Sequence, residues 1–252
     1  WYGKDTEGHF DGRLYEYAQW RMRAVQPPPA DADEIAALER NATESLKFGI
    51  TSQQVMAMMP PSRFVSLWQR AKAPLRLRLI RLPIPATFGD TVEGAELQGE
   101  VSGSPRIRVS GTKWILDGTP LEQGAAVRAP YPGTHERGHI NFTAEQIEQL
   151  LRETVARDDQ PLLHVSGDAT AEAVLDAMAA IAAAEEWRKR RLRFEHGDGL
   201  RGDLLERARE YGVIVVQNPS HFAFAPNAFI AGSAYAEFEE YRKGTLAAGY
   251  LA

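Results

Sequence analysis

No cysteine occurs in the 252 residues, so neither a disulfide framework nor a thiolate metal site is available, and any metal must rest on histidine, carboxylate or a modified lysine. No stretch approaches the ~18 consecutive apolar residues of a membrane span, and no charged-then-apolar leader opens the chain. A formal net charge of −5 leaves no basic field of the kind that draws a protein to a phosphate backbone. The one cationic run, Arg188, Lys189, Arg190, Arg191 and Arg193, reads as the solvated end of a helix. Internal repeats, low-complexity tracts and a Gly-rich phosphate loop after the first strand are also missing. These absences lead us to expect a soluble, cytoplasmic protein with no nucleic-acid or membrane partner. A hydrophobic content of 44% is ample for a buried core.

What is present is an alternation of two periods. Ile35, Leu38, Ala42 and Leu46 recur at helical spacing over 32–48, with Gly49 as the stop. Ile50 to Met59 is a short apolar run closed by Pro60 and Pro61, Phe64 to Ala71 a helix, and Leu75 to Leu82 a strand. Residues 88–105, rich in Gly, Glu and Ser, read as a loop, and the next strand runs through Ile107, Val109 and Trp114 to Leu116, ending on the Asp117-Gly118 turn. After the long loop 119–141, Thr143 caps a helix over 144–156 with Gln146 at the capping-box position.

Strands over 161–165, 192–195 and 213–217 then alternate with helices over 169–188 and 203–211. A last helix spans 234–246, and Tyr250 to Ala252 opens another strand. Strands separated by helices or long loops, without hairpins, argue for a parallel α/β sheet. Polar residues gather at strand C-terminal ends, which favours an eightfold TIM-type barrel over an open doubly wound sheet.

Counting by two along the strands puts Lys113, Ile115 and Asp117 on one face, Leu162, His164 and Ser166 on another, and Leu192, Phe194 and His196 on a third. Each face begins apolar and ends polar, as a barrel interior does where it gives way to an active site at its mouth. Histidines at the ends of successive parallel strands, ~4.8 Å apart, can converge on one ion. A lone strand-end histidine is ordinarily structural; His164 and His196 at matching positions are candidate ligands together. Lys113 alone reads either as an ion-pair partner of Asp117 or, buried beside a metal, as an amine that takes up CO2 to become a carbamate ligand. Asp117 and His164 could also form a metal-free acid/base pair. Asp117 and Asp168 are equally suited to holding the tight turns beside Gly118 and Gly167. Trp114, which alternates with Lys113, reads as an anchor, and Tyr131 as a loop anchor or a pocket residue, while His9 and His139 read as exposed.

Gly111-Thr-Lys-Trp-Ile-Leu-Asp-Gly118, His164-Val-Ser-Gly-Asp168, Arg193-Phe-Glu-His196 and Gln217-Asn-Pro-Ser-His221 follow one another in that order. Together with Gly12-Arg-Leu-Tyr-Glu-Tyr-Ala18 and Gly49-Ile-Thr-Ser52, they resemble the metal-dependent amidohydrolase superfamily. The likeness is to its amidohydrolase family 3 branch, which includes N-substituted formamide deformylases, and it covers nearly the whole chain. The resemblance implies that Lys113 is a carboxylated strand-four lysine bridging two metals. It also implies that His164 and His196 are the strand-five and strand-six ligands, and that Asp117, Asp168 and His221 lie near the mouth, supporting the ligands or facing the substrate.

On the same resemblance, the family's His-x-His pair is expected upstream of Trp1 and the catalytic strand-eight Asp just after Ala252. The catalytic residue is therefore not among those present, and the small β-sandwich built from terminal segments is expected to be absent. Residues 1–252 are expected to form one partial metal-dependent hydrolase barrel domain, lacking the first strand and most of the last.

The expected activity is hydrolysis of a non-peptide C–N bond, amide or formamide-like, in a small-molecule substrate by a metal-bound hydroxide. The expected cofactor is a divalent metal, zinc before iron, manganese or nickel, as one or two ions. A non-catalytic barrel fragment that needs another segment or subunit is the rival expectation. Unpaired parallel edges would then invite association, including into a homo-oligomer.

Overall fold

A computed structural model describes residues 2–83, 97–131 and 133–217. The helix expected over 234–246, the strand expected from Tyr250, and His221 lie outside these residues. The chain divides into two compact units, Trp1–Lys113 and Trp114–Ala252.

The first unit opens with strands β1 (Tyr2–Lys4) and β2 (Phe10–Leu14), paired antiparallel, followed by helix α1 (Tyr17–Ala24). Helix α2 (Asp31–Lys47) concentrates Asp31, Asp33 and Glu34 in its first turn, where they oppose the positive end of the helix dipole. Strand β3 (Ser52–Met56), helix α3 (Pro61–Ala71) and strand β4 (Arg76–Arg81) follow. Pro61 begins α3 because its missing N–H is not needed in the first turn. Strands β5 (Gly99–Val101) and β6 (Ser104–Ile115) complete the unit, whose boundary at Lys113 falls within β6. Parallel pairing joins β3 to β4 and β4 to β6. Phe64 and Trp68, stacked at 6.1 Å, pack with Leu75, Leu77, Leu79, Ile107 and Val109 into the unit's core. Burial of each such large side chain contributes about 1.5–3 kcal/mol.

The second unit contains a 3-10 turn over Pro120–Glu122, helix α4 (Ala144–Ala156), strand β7 (Pro161–Val165) and helices α5 (Asp168–Ile181) and α6 (Ala184–Arg190). Strand β8 (Arg193–His196), helix α7 (Asp203–Tyr211) and strand β9 (Ile214–Val216) follow. Strands β7, β8 and β9 pair in parallel, with Val165 opposite His196 and Phe194 opposite Val215. Every residue of β7 is buried, as expected of a parallel strand covered on both faces. The capping box at α4 forms as the sequence predicts, with Thr143 and Gln146 satisfying each other's backbone N–H. Among the described residues no helix is long and apolar enough to cross a membrane.

Three expectations need correction. Hairpins do occur: β1 pairs with β2, and β5 turns onto β6 through Ser102 and Gly103 inside the segment expected to be a loop. Gly103 supplies the positive φ of 71° that the tight turn requires, so composition alone concealed a strand of only three residues. The helix expected over 169–188 is broken at Ala182, which is extended (φ −158°, ψ 161°). Tertiary packing overrides the alanine-rich helical propensity here: buried Trp187 on α6 donates its indole N–H to the Met178 carbonyl at 2.9 Å. Arg193 is not solvated with the cationic run but buried in β8, where its Nε donates to Glu195 at 2.8 Å.

Candidate metal centre

Parallel register carries His164, near the end of β7, and His196, the last residue of β8, to the same end of the sheet. Their rings meet edge to face at 65°, with centroids 4.5 Å apart. His196 takes a left-handed backbone (φ 79°), which is sparsely populated for any residue with a side chain and recurs at functional sites. Its carbonyl accepts the Gln217 side-chain N–H at 2.6 Å, and the following Gly197 N–H is held by the Val165 carbonyl at 2.8 Å. These bonds fix the strand end that presents the ring.

The His164 ring is oriented through Nε2. That atom lies 3.3 Å from the Gly118 carbonyl, 3.3 Å from Ser166 Oγ and 3.8 Å from Asp117 Oδ1. A backbone carbonyl only accepts, so the Gly118 contact is one that an Nε2–H makes, whereas the Ser166 hydroxyl can donate or accept. This is the arrangement by which a histidine ligand has its other nitrogen held by protein acceptors.

Asp117 is fully buried just beyond β6, and four donors converge on it. Oδ1 accepts the Ser166 N–H at 3.0 Å, while Oδ2 accepts from Gly167 N–H at 2.8 Å, Thr170 Oγ at 2.7 Å and Ala126 N–H at 3.3 Å. Burial pushes its pKa up to about 7, against the pull of Thr170 and the three backbone donors. Asp117 thereby ties the turn after β7, the start of α5 and the loop at Ala126 into one unit behind His164. Gly167 completes that joint, since a Cβ there would meet the Ala126 carbonyl oxygen at 1.7 Å.

Asp168 does comparable work one residue further on. Its carboxylate accepts the Arg128 N–H at 2.8 Å and Arg201 Nη2 at 3.2 Å, so it clips two loops to the first turn of α5. Arg128 in turn grips Glu172 and Asp203, which raise its pKa. Tyr131 is a loop anchor, with its buried hydroxyl donating to the Ala125 carbonyl at 2.8 Å. Trp114 anchors too, packed edge to face on Phe142 at 6.1 Å. His9 is exposed, whereas His139 is half-buried and burial lowers its pKa.

The structure thus brings together His164, His196 and Asp117 and assigns Asp168 to loop packing. Lys113 ends the first unit on β6 and is buried at 4% exposure. Asp198, two residues after His196 and 1% exposed, is a buried carboxylate that sequence reading missed. Its one available signal was an acid in the strand-end Gly197-Asp198-Gly199 turn. Among the described residues, no three histidine or carboxylate side chains form a group that could hold a metal ion, so the two imidazoles, chemically suited to a divalent ion, would need a donor of another kind.

A model of the amidohydrolase family matches residues 2–223. The chain belongs to that family. No curated protein matches it. Among solved structures it is similar to an uncharacterized metal-dependent hydrolase from Pyrococcus furiosus (TM-score 0.63, 20% identity), covering 83% of this chain and 42% of that one. An uncharacterized metal-dependent hydrolase from Pyrococcus horikoshii OT3 gives a TM-score of 0.63 at 18% identity, with 89% of this chain and 44% of that one covered. Ochratoxinase of A. niger gives 0.54 at 15% identity, with 95% and 58% covered. At these identities the likeness is one of fold: α/β, of the incomplete TIM-barrel class expected above. The chain spans less than half the length of the two Pyrococcus structures.

Proposed function

We propose that the whole protein is a metal-dependent hydrolase of a non-peptide C–N bond, amide or formamide-like, in a small molecule, close to the formamide deformylase branch of its family. In this reading His164 and His196 hold a divalent metal, zinc for preference, and Lys113, carboxylated, supplies the remaining oxygen donor. The observation that carries it is the 4.5 Å approach of the two imidazoles at the ends of adjacent parallel strands, in a chain of amidohydrolase lineage. A bound divalent ion lowers the pKa of water and polarises a carbonyl, so that attack on an amide proceeds at neutral pH.

The chain's own residues contribute orientation. In this reading the Gly118 carbonyl accepts from Nε2 and leaves Nδ1 for the metal, and Asp117 holds the turn that carries Ser166. Asp168 and His221 are assigned a supporting place at the mouth, Asp168 through the loops it clips.

Elemental analysis of the purified chain tests the reading against a His164→Ala, His196→Ala double variant. We expect near-stoichiometric metal in the wild type and its loss in the variant. Metal retained by the variant, or absent from both, rejects the site.

A further inference from the structure

A cavity of about 610 Å³ lies within the first unit, beyond the C-terminal ends of β3 and β4. Met58 and Met59 follow β3 and Leu82 follows β4, while Trp20 of α1 and the prolines 27–29 between α1 and α2 close it. The volume is that of a small-molecule site, and the strand C-terminal end is where barrels place ligands.

Its lining combines rigid and adaptable apolar groups. Trp20 is buried and held edge to face on Tyr17, with centroids 5.1 Å apart at 86°, so its ring is fixed before any ligand arrives. Met58 is 51% exposed, and its unbranched thioether can settle against a flat partner without a preferred shape of its own. The prolines supply a stiff wall at little entropic cost.

The polar groups are unevenly matched. Arg63 is neutralised by Asp31 at 3.1 Å and Glu34 at 3.3 Å, and it also donates to the Pro29 carbonyl. Arg23, the second guanidinium of the lining, forms no ion pair among the described residues. Gln26 and Glu34 also line the cavity, Glu34 held by Arg63, so an apolar wall of Trp20, Met58 and the prolines stands beside one guanidinium, Arg23, whose parallel N–H groups suit a carboxylate.

We propose that this cavity binds a small molecule with an aromatic body and a single carboxylate, the ring packed on Trp20 and Met58 and the carboxylate on Arg23. The site shares no residue with the metal centre, and binding tests it without turnover, so its fate is separate from that of the hydrolase reading.

Isothermal titration of the full chain with 3-phenylpropionate, and with 3-phenylpropanamide as its neutral isostere, decides the matter. The acid should bind saturably and about tenfold more tightly than the amide. Arg23→Gln should bring the acid down to the amide's affinity and leave the amide unchanged. Met58→Glu, also at an exposed position, should weaken both by crowding the ring site with charge. No saturable binding of either ligand, equal affinity for both, or an acid preference that survives Arg23→Gln overturns the proposal.

Discussion

Asp117 accepts the backbone N–H of Gly167 at 2.8 Å, across fifty residues of sequence. The same carboxylate holds Ser166, Thr170 and Ala126, so a single side chain joins the end of β6, the turn after β7 and the loop between them. A carboxylate meets four donors with acceptors alone, which no other side chain of its size can do.

Asp117→Asn should therefore destabilise the protein despite near-identical volume. The amide turns an N–H₂ towards donors, whichever way it is flipped, and leaves at least one buried group unpaired. The expected cost is about 3 kcal/mol, read as a fall in the urea midpoint at constant slope. A midpoint unchanged within error would show that the carboxylate is not the joint we describe.

Local signals were legible where the chain itself carries them. Thr143 with Gln146 set the start of α4, and Gly49, with its positive φ of 74°, the end of α2, each through a backbone requirement met locally. Period-two alternation put His164 and His196 at matching positions, whereas the register sets Glu195 opposite His164 and Val165 opposite His196; the two rings meet where His196 leaves the strand with a left-handed backbone (φ 79°), which alternation does not encode. The role of Asp117 was not readable, since its donors lie 9 to 53 residues away and only the folded turn collects them. The break at Ala182 escaped for a related reason: alanine spacing favours one helix, and the indole of Trp187, nine residues from the Met178 carbonyl it donates to, decides otherwise. Asp198 went unnoticed because a strand-end acid beside glycines carries the pattern of any turn.

Arg128 offers a pH-dependent test. It donates to Asp203 and Glu172, and the guanidinium holds Asp203 below its ordinary pKa. A depressed carboxylate stabilises the fold fully above its unfolded pKa, near ~3.9, and the contribution is lost as pH falls through the folded value. Asp203 is 62% exposed, so screening keeps the pair at or below about 1 kcal/mol. Asp203→Asn should accordingly lower stability slightly at pH 7 and by less at pH 2. A loss of equal size at both pH values would assign the effect to packing rather than charge.

Buried charge in β8 gives the last prediction. Arg193 and Glu195, 9% and 10% exposed, pair at 2.8 Å two residues apart, and Glu195 lies in register with His164. Removing one partner strands the other in a low-dielectric setting, whereas replacing both with apolar groups removes the desolvation penalty along with the attraction. Glu195→Gln should cost up to about 3 kcal/mol, because Arg193 keeps its buried charge and loses the opposite charge 2.8 Å away. The double variant Arg193→Met, Glu195→Leu should recover most of that loss. Chemical denaturation of the three proteins separates the possibilities: additive losses in the double variant would mean that each side chain is held by other contacts, and recovery would mean that the pair is a matched charge whose stabilising worth is small. In the second case the metal binding proposed for His164 should survive, since the backbone pairing of β7 with β8 does not use these side chains.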